Sequence, residues 1–271
     1  MTIAKKFSEF AQLHRNNELF VMPNPWDIGS TRIFSQLGFK ALATTSGGMA
    51  YAIGKPDGQV TREEAIRHCR EIAAATSLPV SADLENGYCD APDAVAELIT
   101  DVGTTGVAGC SIEDYSGDPQ SPIYDSSLAV ERIQAAHEAR LTFDFDFVLT
   151  ARCEKFLWNE KDPDAVIKRL QAFESAGADV LFAPGMNDLQ DIERLMQSVS
   201  KPVNVVMSSP SITFGLDELR ELGVRRVSIG SSIAQLVYGK AISAIKELAD
   251  SGTFNFVHEA MNYEELEAWY R

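Results

Sequence analysis

The stretch TREEAIRHCREIAAATSLPVSAD (61–83) contains one complete helix-then-strand unit, and the repetition of this unit along the chain determines the predicted fold. Apolar residues recur at helical spacing over Thr61–Ala75, and Thr61 with Glu64 has the pattern of a capping box at a helix start. After a short connection, the run Val80–Asp83 has the length and composition of a buried strand. The stretch therefore predicts a helix that leads directly into a strand.

The same alternation extends in both directions along the chain. A second clear helix, Pro163–Ala176, has Asp162 as its N-cap and proline at its first position. The phrases LGF, VGT, AGA and LGV begin at residues 37, 102, 176 and 222, and each predicts a helix that ends on a left-handed glycine. Eight strand candidates result: Leu19–Met22, Ala41–Thr45, Val80–Asp83, Gly106–Ile112, Phe147–Ala151, Val180–Ala183, Val203–Met207 and Arg226–Ile229.

Eight short apolar strands, each followed by a helical segment, favour a parallel closed barrel because both faces of every strand are buried. We therefore predict an α/β fold, a (β/α)₈ TIM barrel that forms a single domain. An open doubly wound sheet is the structural alternative. Residues 1–233 are expected to form the barrel and catalytic domain, and residues 234–271 a C-terminal helical extension of the same domain.

Composition narrows the class of protein. The chain has 271 residues, of which 45% are apolar, and a formal net charge of −15. Lysine and arginine form no cluster, which argues against a nucleic-acid partner. The sequence has no run of 18 apolar residues, no secretory signal at its start and four widely spaced cysteines. We therefore expect a cytoplasmic protein with reduced thiols and no membrane partner.

Carboxylates follow two neighbouring strand candidates. Asp83 and Glu85 lie two residues apart, so they share a side of an extended strand, and Glu113 ends the next strand. In a (β/α)₈ barrel these ends meet at the active-site mouth. Three converging carboxylates repel one another unless a cation lies among them, and oxygen-only ligands predict Mg²⁺ or Mn²⁺. The alternative is that each acid only caps the helix that follows.

Arg152 ends the fifth strand candidate, where its planar guanidinium suits the carboxylate or phosphonate of a ligand. A salt bridge to Glu154 or Glu113 is the alternative. No histidine falls at a strand end and no G-x-S-x-G motif occurs, so a zinc site or a Ser/His/Asp triad is not expected. Cys153 is expected to be structural.

Small residues follow the second strand candidate. The backbone N–H groups of Ser46, Gly47 and Gly48 are predicted to bind an oxyanion, with a plain glycine turn as the alternative. Asp57, in the GKPDG loop, is either a general base or hydrogen-bond partner, or an ordinary turn residue.

Several of these segments together resemble one family over about residues 23–233. They are TSGG (45–48), KPDG (55–58), SADLENGY (81–88), SIED (111–114), TAR (150–152) and AGADVLF (176–182). In this order they are similar to the isocitrate lyase/phosphoenolpyruvate mutase superfamily, and the segment 211–232 resembles its smaller members. The resemblance implies an Mg²⁺-dependent (β/α)₈ enzyme that stabilises an enolate-like state of a 2-oxo acid.

The resemblance also implies roles for individual residues. Asp83 matches the direct metal ligand, and Glu85 and Glu113 match carboxylates that hold metal-bound waters. Residues 46–48 match the cradle for the oxo-acid carboxylate and enolate oxygen, Arg152 the substrate-binding arginine, and Asp57 the loop aspartate. Members form homo-oligomers, dimers or tetramers, in which C-terminal helices swap between subunits.

This sequence departs from the family pattern at three places. Glu85 stands where the family usually has aspartate, and Pro184 stands where the lyases have glutamate. The stretch DYSGDPQSPIYD (114–125) contains neither the K-[KR]-C-G-H segment of the lyases nor the Lys and Asn of the mutases. The departures argue against isocitrate lyase, 2-methylisocitrate lyase and phosphoenolpyruvate mutase proper.

The sequence thus predicts an Mg²⁺-dependent enzyme, of the carbon–carbon lyase, decarboxylase or phosphonomutase type. It makes or breaks a C–C or C–P bond next to the carbonyl of a small 2-oxo acid or phosphonate. Asp57, Tyr115 and Tyr124 are the candidates for proton transfer, and 114–125 is the candidate lid. The alternatives are a non-catalytic metabolite-binding barrel and an Mg²⁺ aldolase that uses pyruvate.

Overall fold

The computed structural model describes residues 3–271 and contains alternating strands and helices. The strands are β1 Phe20–Met22, β2 Leu42–Ala43, β3 Val80–Asp83, β4 Gly109–Glu113, β5 Val148–Arg152, β6 Val180–Phe182, β7 Val203–Val206 and β8 Arg226–Ser228. The α-helices are α1 Ile3–Arg15, α2 Ile28–Ser35, α3 Ser46–Ala52, α4 Arg62–Ala75, α5 Pro92–Gly103, α6 Ser126–Arg140, α7 Pro163–Ser175, α8 Leu189–Ser198, α9 Leu216–Glu221, α10 Ser232–Ser251 and α11 Tyr263–Ala268. Two 3₁₀ helices span Lys155–Trp158 and Asn255–Glu259.

The eight strands form one parallel sheet in the order β1-β8-β7-β6-β5-β4-β3-β2. The Ala43 amide donates to the Pro23 carbonyl at 3.1 Å, which links the ends of β2 and β1 and brings the two edges of the sheet together. The predicted (β/α)₈ barrel is confirmed, and the open doubly wound alternative is excluded. β2 is shorter than predicted because Thr45 already serves as the N-cap of α3.

Helix α1 closes the amino-terminal end of the barrel. Its Phe7 and Phe10 are buried and belong to one apolar cluster with Phe20, Ala108 and Val148 from the strands. A larger cluster fills the layer between the strands and the outer helices. The floor is packed with side chains, and the barrel interior opens toward the carboxyl ends of the strands.

Helix termini follow the sequence signals with one exception. The capping box of Thr61 and Glu64 is present. The glycines of the LGF, AGA and LGV phrases all have positive φ, as predicted. Gly103 of the VGT phrase instead lies inside α5, and the left-handed residue is Gly106 with φ +91°. Glycine is needed at 103 because a Cβ there would lie 2.5 Å from the Phe143 ring.

The segment after β8 packs little against the barrel. Ala234 is the one fully buried residue of α10, whereas several large apolar side chains of the segment are more than two-fifths exposed. They are Leu236, Val237, Ile242, Ile245, Phe254, Val257, Met261, Tyr263, Leu266 and Tyr270. Within residues 3–271, no helix has the length and apolarity needed to cross a membrane.

Candidate active site

The carboxyl ends of the strands surround two adjoining cavities. The inner cavity, of about 440 Å³, lies over the barrel interior, and the outer cavity, of about 1010 Å³, lies beneath the loop that follows β4. Ser46, Asp57, Arg152 and Leu157 line both. Of the predicted site residues, Ser46, Asp57 and Arg152 therefore lie at the junction of the two cavities. Gly47 and Asp83 line the inner cavity, and Glu85 and Glu113 line the outer one.

Asp83 ends β3 and is held on several sides. Its carboxylate accepts hydrogen bonds from the Ser46 amide at 3.1 Å and from the Ser111 hydroxyl at 3.3 Å. Its own amide donates to the Thr44 hydroxyl at 2.8 Å. Arg152 Nη1 lies 3.6 Å from Asp83 Oδ1. Fixed in this way, the carboxylate projects into the inner cavity.

Glu85 reaches the cluster by a different geometry from the one predicted. β3 ends at Asp83, and Glu85 has φ +49°, so the two residues do not share one side of an extended strand. The backbone turns there because the Glu113 amide donates to the Glu85 carbonyl at 3.0 Å. Burial, together with the charges of Asp83 and Asp57, raises the pKa of Glu85 to about 7.

Arg152 lies among carboxylates. Its guanidinium pairs with Glu113 Oε2 at 3.3 Å and with Glu154, in addition to Asp83. Parallel pairing of β4 with β5 places Glu113 directly beside Arg152. Burial raises the pKa of Glu113 well above its usual value, although Arg152 opposes the shift. Both salt bridges considered as alternatives from sequence are thus present, and a ligand-binding role for Arg152 stays a prediction.

Asp57 lies close to the first turn of α3. A Cβ built on Gly47 would be 3.0 Å from Asp57 Oδ2, so the aspartate lies directly against that backbone. Burial and the charge of Asp83 raise the pKa of Asp57, and hydrogen bonds from the Gly58 amide and the Ser46 hydroxyl partly offset the shift. Asp57 therefore lines both cavities, and its role as a general base or hydrogen-bond partner stays a prediction.

The three small residues after β2 differ in their access to the cavity. They form the first turn of α3, where backbone N–H groups are not used within the helix. The Ser46 amide donates to Asp83, the Gly48 amide lies 3.4 Å from the Thr45 hydroxyl, and Gly47 lines the inner cavity. Gly48 lies behind the cavity wall. A Cβ on it would be 2.7 Å from Trp26, so no side chain fits there.

The donor set at the junction suits a hard divalent cation. Five carboxyl groups, those of Asp57, Asp83, Glu85, Glu113 and Glu154, surround the single guanidinium of Arg152, and burial raises the pKa of several of them. An added positive charge among oxygen ligands would relieve this repulsion. Across residues 3–271, no three acidic, His or Cys side chains are placed as direct ligands of one ion.

The two tyrosines suggested for proton transfer lie in different places. Tyr124 donates a hydrogen bond to Asp90 at 2.5 Å, stacks against Arg132 and lines neither cavity. Tyr115 lines the outer cavity, and its ring stacks on Trp158 at 4.7 Å between centroids. The structure therefore leaves Tyr115 and Asp57 as candidates.

Sequence reasoning considered Glu154 only as a salt-bridge partner of Arg152, and it missed the pair Arg226 and Asn204. Glu154 is 4% exposed and pairs with Arg152. Its place two residues after Arg152 was visible in the sequence, but its inward direction was not. Arg226 and Asn204 form a buried polar layer in the barrel interior that lines the inner cavity. Their strands carried no acidic motif that would have drawn attention to them.

Within residues 3–271, no histidine lines either cavity, and Cys89 is the cysteine that lines the outer one. His14 and His68 bond to the carbonyls of Phe10 and Trp26, away from the carboxylates. Cys153 is fully buried, and burial raises its pKa well above the usual value. The expectation that Cys153 is structural agrees with its burial.

The acids and Arg152 lie at the mouth of the (β/α)₈ barrel, where enzymes of this fold have their active sites. Residues 10–249 match the family described as phosphoenolpyruvate phosphomutase. The chain therefore belongs to that family, within the isocitrate lyase/phosphoenolpyruvate mutase superfamily of lyases, decarboxylases and phosphonomutases. The family resemblance seen in the sequence is confirmed.

Individual relatives agree with this assignment. A solved structure of a protein from Burkholderia cenocepacia J2315, described only by the class lyase/mutase, is 44% identical to this chain. Its TM-score is 0.95, and the match covers 99% of this chain and 96% of that one. An uncharacterised protein of Mycobacterium tuberculosis H37Rv is 35% identical over 227 residues, 82% of this chain and 81% of its own. The 2-methylisocitrate lyase of Escherichia coli K12 is 28% identical over 250 residues, 85% of this chain and 83% of its own.

Proposed function

We propose that this protein is an Mg²⁺-dependent enzyme that makes or breaks a C–C or C–P bond beside the carbonyl of a small 2-oxo acid, through an enolate-like state. The cluster of five carboxyl groups around Arg152, next to the backbone of Gly47, carries the proposal. The relatives include oxaloacetate decarboxylases, whose name gives a 2-oxo acid as the substrate, and 2-methylisocitrate lyases.

Each residue has a role in this proposal. Asp83 would hold the cation directly, with Glu85 and Glu113 on its waters; the bound cation supplies Lewis-acid stabilisation of negative charge on oxygen. The Gly47 amide would donate to the same developing charge. Arg152 would bind an acid group of the substrate, and this contact would replace part of its pairing with Glu113 and Glu154.

Asp57 is our candidate for proton transfer. It lines both cavities. Its raised pKa lies closer to the working pH than that of an ordinary aspartate, which favours proton transfer by its carboxyl group. Tyr115 and its stack on Trp158 would close the outer cavity over the substrate. The loop 114–125 contains no Cys, His or Lys, so we propose a reaction other than that of isocitrate lyase, 2-methylisocitrate lyase or phosphoenolpyruvate mutase.

Calorimetry with oxalate, a planar mimic of pyruvate enolate, tests the site. We expect binding that requires Mg²⁺ and is absent in Asp83→Ala but present in Asp93→Ala, which removes an exposed aspartate on α5. Turnover of oxo acids and phosphonates should then be screened with and without chelator. Oxalate binding that is unchanged in Asp83→Ala, or activity retained in chelator, would refute the metal site.

The two alternatives predict other outcomes in the same screen. A non-catalytic barrel would bind oxalate or pyruvate but turn over no oxo acid. An aldolase would exchange deuterium into the pyruvate methyl group and consume an aldehyde. The perturbed carboxyl group of Asp57 inside the cavities favours an enzyme over a binding protein, because perturbed acids in a cleft are typical of catalytic sites.

We also propose that residues 234–271 form a helical extension of the domain, and that this extension packs against a second copy of this chain in an oligomer. The exposed apolar residues of α10, such as Ile245 at 62%, form a face that the chain's own barrel does not cover. We expect a dimer or tetramer by light scattering, dissociated by Ile245→Asp and not by Lys246→Asp. A monomeric wild-type protein would refute the assembly.

A further inference from the structure

A buried arginine lies in the wall of the inner cavity, apart from the carboxylate cluster. Arg226, on β8, is 3% exposed. Its guanidinium donates to Asn204 Oδ1 at 2.9 Å and to the Thr150 hydroxyl at 3.0 Å, and lies 3.3 Å from His14 Nε2. All three partners are uncharged groups on β7, β5 and α1, so the polar contacts orient the cation without neutralising it.

His14 does not alter that conclusion. Burial, and then the charge of Arg226, lower its pKa to about 3, so it is neutral at physiological pH. Its Nδ1 lies 2.8 Å from the Phe10 carbonyl, which accepts the Nδ1 proton and leaves Nε2 as an acceptor for Arg226. Burial lowers the pKa of Arg226 to about 9, which still leaves it cationic at pH 7.

The charge of Arg226 has no counter-ion in the part of the chain that the structure describes. No carboxylate of residues 3–271 lies within 4.0 Å of its guanidinium, whereas Arg152 has three. A buried cation without a partner is costly, and proteins normally pair such groups. A negative charge supplied by a bound ligand would therefore lower the cost of burying this guanidinium.

The inner cavity is where that charge can enter. Arg226 and Asn204 line it together with Arg152 and Asp83. Asn204 also donates to the Ser228 hydroxyl at 3.0 Å, so Arg226, Asn204 and Ser228 form one hydrogen-bonded chain that ends at the cavity. The residues that β7, β8 and their following loops contribute to the lining include no acid: Asn204, Val206, Ser208, Ser209, Pro210, Arg226, Ser228, Gly230 and Ser231.

We propose that Arg226 is a positioning residue, a fixed and unpaired positive charge beneath the inner cavity that offsets the negative charge of a bound small di-acid. The inference rests on the proposed function for the class of ligand. Arg226 would act mainly through the field of its charge and through the polarised Asn204–Ser228 pair. It differs in this from Arg152, whose charge is shared among carboxylates.

Substitution of Arg226 by Met separates this role from a structural one. With saturating Mg²⁺, we expect Arg226→Met to bind oxalate at least about 10-fold more weakly than the wild type. The variant loses the attraction between a desolvated positive charge and the ligand, and a tenfold change in Kd is a modest estimate for such a loss. The ligand-free variant should be as stable as the wild type or more stable, because it no longer buries an unpaired cation. Arg225→Met is the matched control, since Arg225 bonds to Asn17 and the Gly223 carbonyl on the outside of the barrel.

Arg226→Lys gives a second, independent readout. A lysine in the same buried position has a lowered pKa and loses its charge as the pH rises. The ratio of its oxalate affinity to that of the wild type should therefore fall between pH 6 and pH 9. His14 is the titratable group in contact with position 226 and stays neutral in this range. Taking the ratio to wild type cancels the titration of Asp57, Glu85 and Glu113 in the cavities.

The outcomes separate the two proposals. If the wild type binds oxalate with Mg²⁺ and Arg226→Met binds it equally well, the role of Arg226 is overturned and the proposed function stands. If Arg226→Met is markedly less stable without ligand, the arginine is structural and the inference is overturned, whatever the ligand. If the wild type binds no oxalate while Arg226→Met keeps its stability, the proposed function fails, and Arg226 loses the di-acid role assigned to it.

Discussion

Replacing Glu85 by glutamine in the metal-free protein should stabilise it at alkaline pH. Glu85 is partly buried beside Asp83 and Asp57, and its pKa is raised to about 7 from an ordinary value of 4.5. A raised carboxyl pKa means that the folded state prefers the protonated group. The stability this provides is fully present below pH 4.5 and is lost as the pH rises through about 7.

The size of the effect follows from the shift. A rise of about 2.5 pKa units corresponds to about 3 kcal/mol of lost stability above pH 8, as an upper bound. Glutamine resembles the protonated acid, so Glu85→Gln should recover much of that loss at pH 8 and gain nothing at pH 4.5. For a domain of this size the recovery corresponds to about 5 °C or more in melting temperature.

Unfolding in urea and by heat, at several pH values and in chelator, measures this difference. Glu131→Gln is the matched control, since Glu131 is exposed on α6. Addition of Mg²⁺ should stabilise the wild type at pH 8 more than Glu85→Gln, because the cation and the variant remove the same repulsion. A variant that is destabilised equally at pH 5 and pH 8 would refute the reasoning.

Three further predictions concern neighbouring groups. Arg152→Lys should weaken oxalate binding about 10-fold or more, measured by calorimetry, because an ammonium cannot replace a planar guanidinium. Gly48→Ala should cost about 1–3 kcal/mol in chemical unfolding, since its Cβ would lie 2.7 Å from two side chains, whereas Gly239→Ala, with open space, should be neutral or stabilising. Tyr115→Ala should speed oxalate dissociation in stopped flow without a change in melting temperature, because its stack on Trp158 is at the surface of the outer cavity.

The sequence could predict the barrel because its signals are local and repeated. Helical periodicity, capping residues and apolar runs each depend on neighbours within one turn or one strand, and all eight strands were found within a few residues. Errors occurred where a tertiary contact decided the outcome. Gly103 looked like a helix terminator, yet it lies inside α5, where the ring of Phe143, forty residues away, leaves no room for a Cβ.

The carboxylates of the site were predictable for the same reason, but their pairings were not. Strand ends converge in any parallel barrel, so Asp83, Glu113 and Arg152 had to be close. That Glu113 lies directly beside Arg152 depends on the register of β4 against β5, which no local pattern encodes. Glu85 shows the limit most clearly, because a backbone bond from β4 turns it into a left-handed conformation.

The strand order also divides the mouth of the barrel by charge. The carboxylates come from the ends of β3, β4 and β5 and from the Asp57 loop, whereas β7 and β8 contribute amides, hydroxyls and the unpaired Arg226. A di-acid that enters this field should therefore place one acid group at the cation side and direct its remaining charge toward β8. This proposed orientation requires no residue of the loop 114–125. Under the proposed function, the side of the site that binds the di-acid is therefore independent of that loop, which lacks the residues of the lyases and mutases and would set a different reaction.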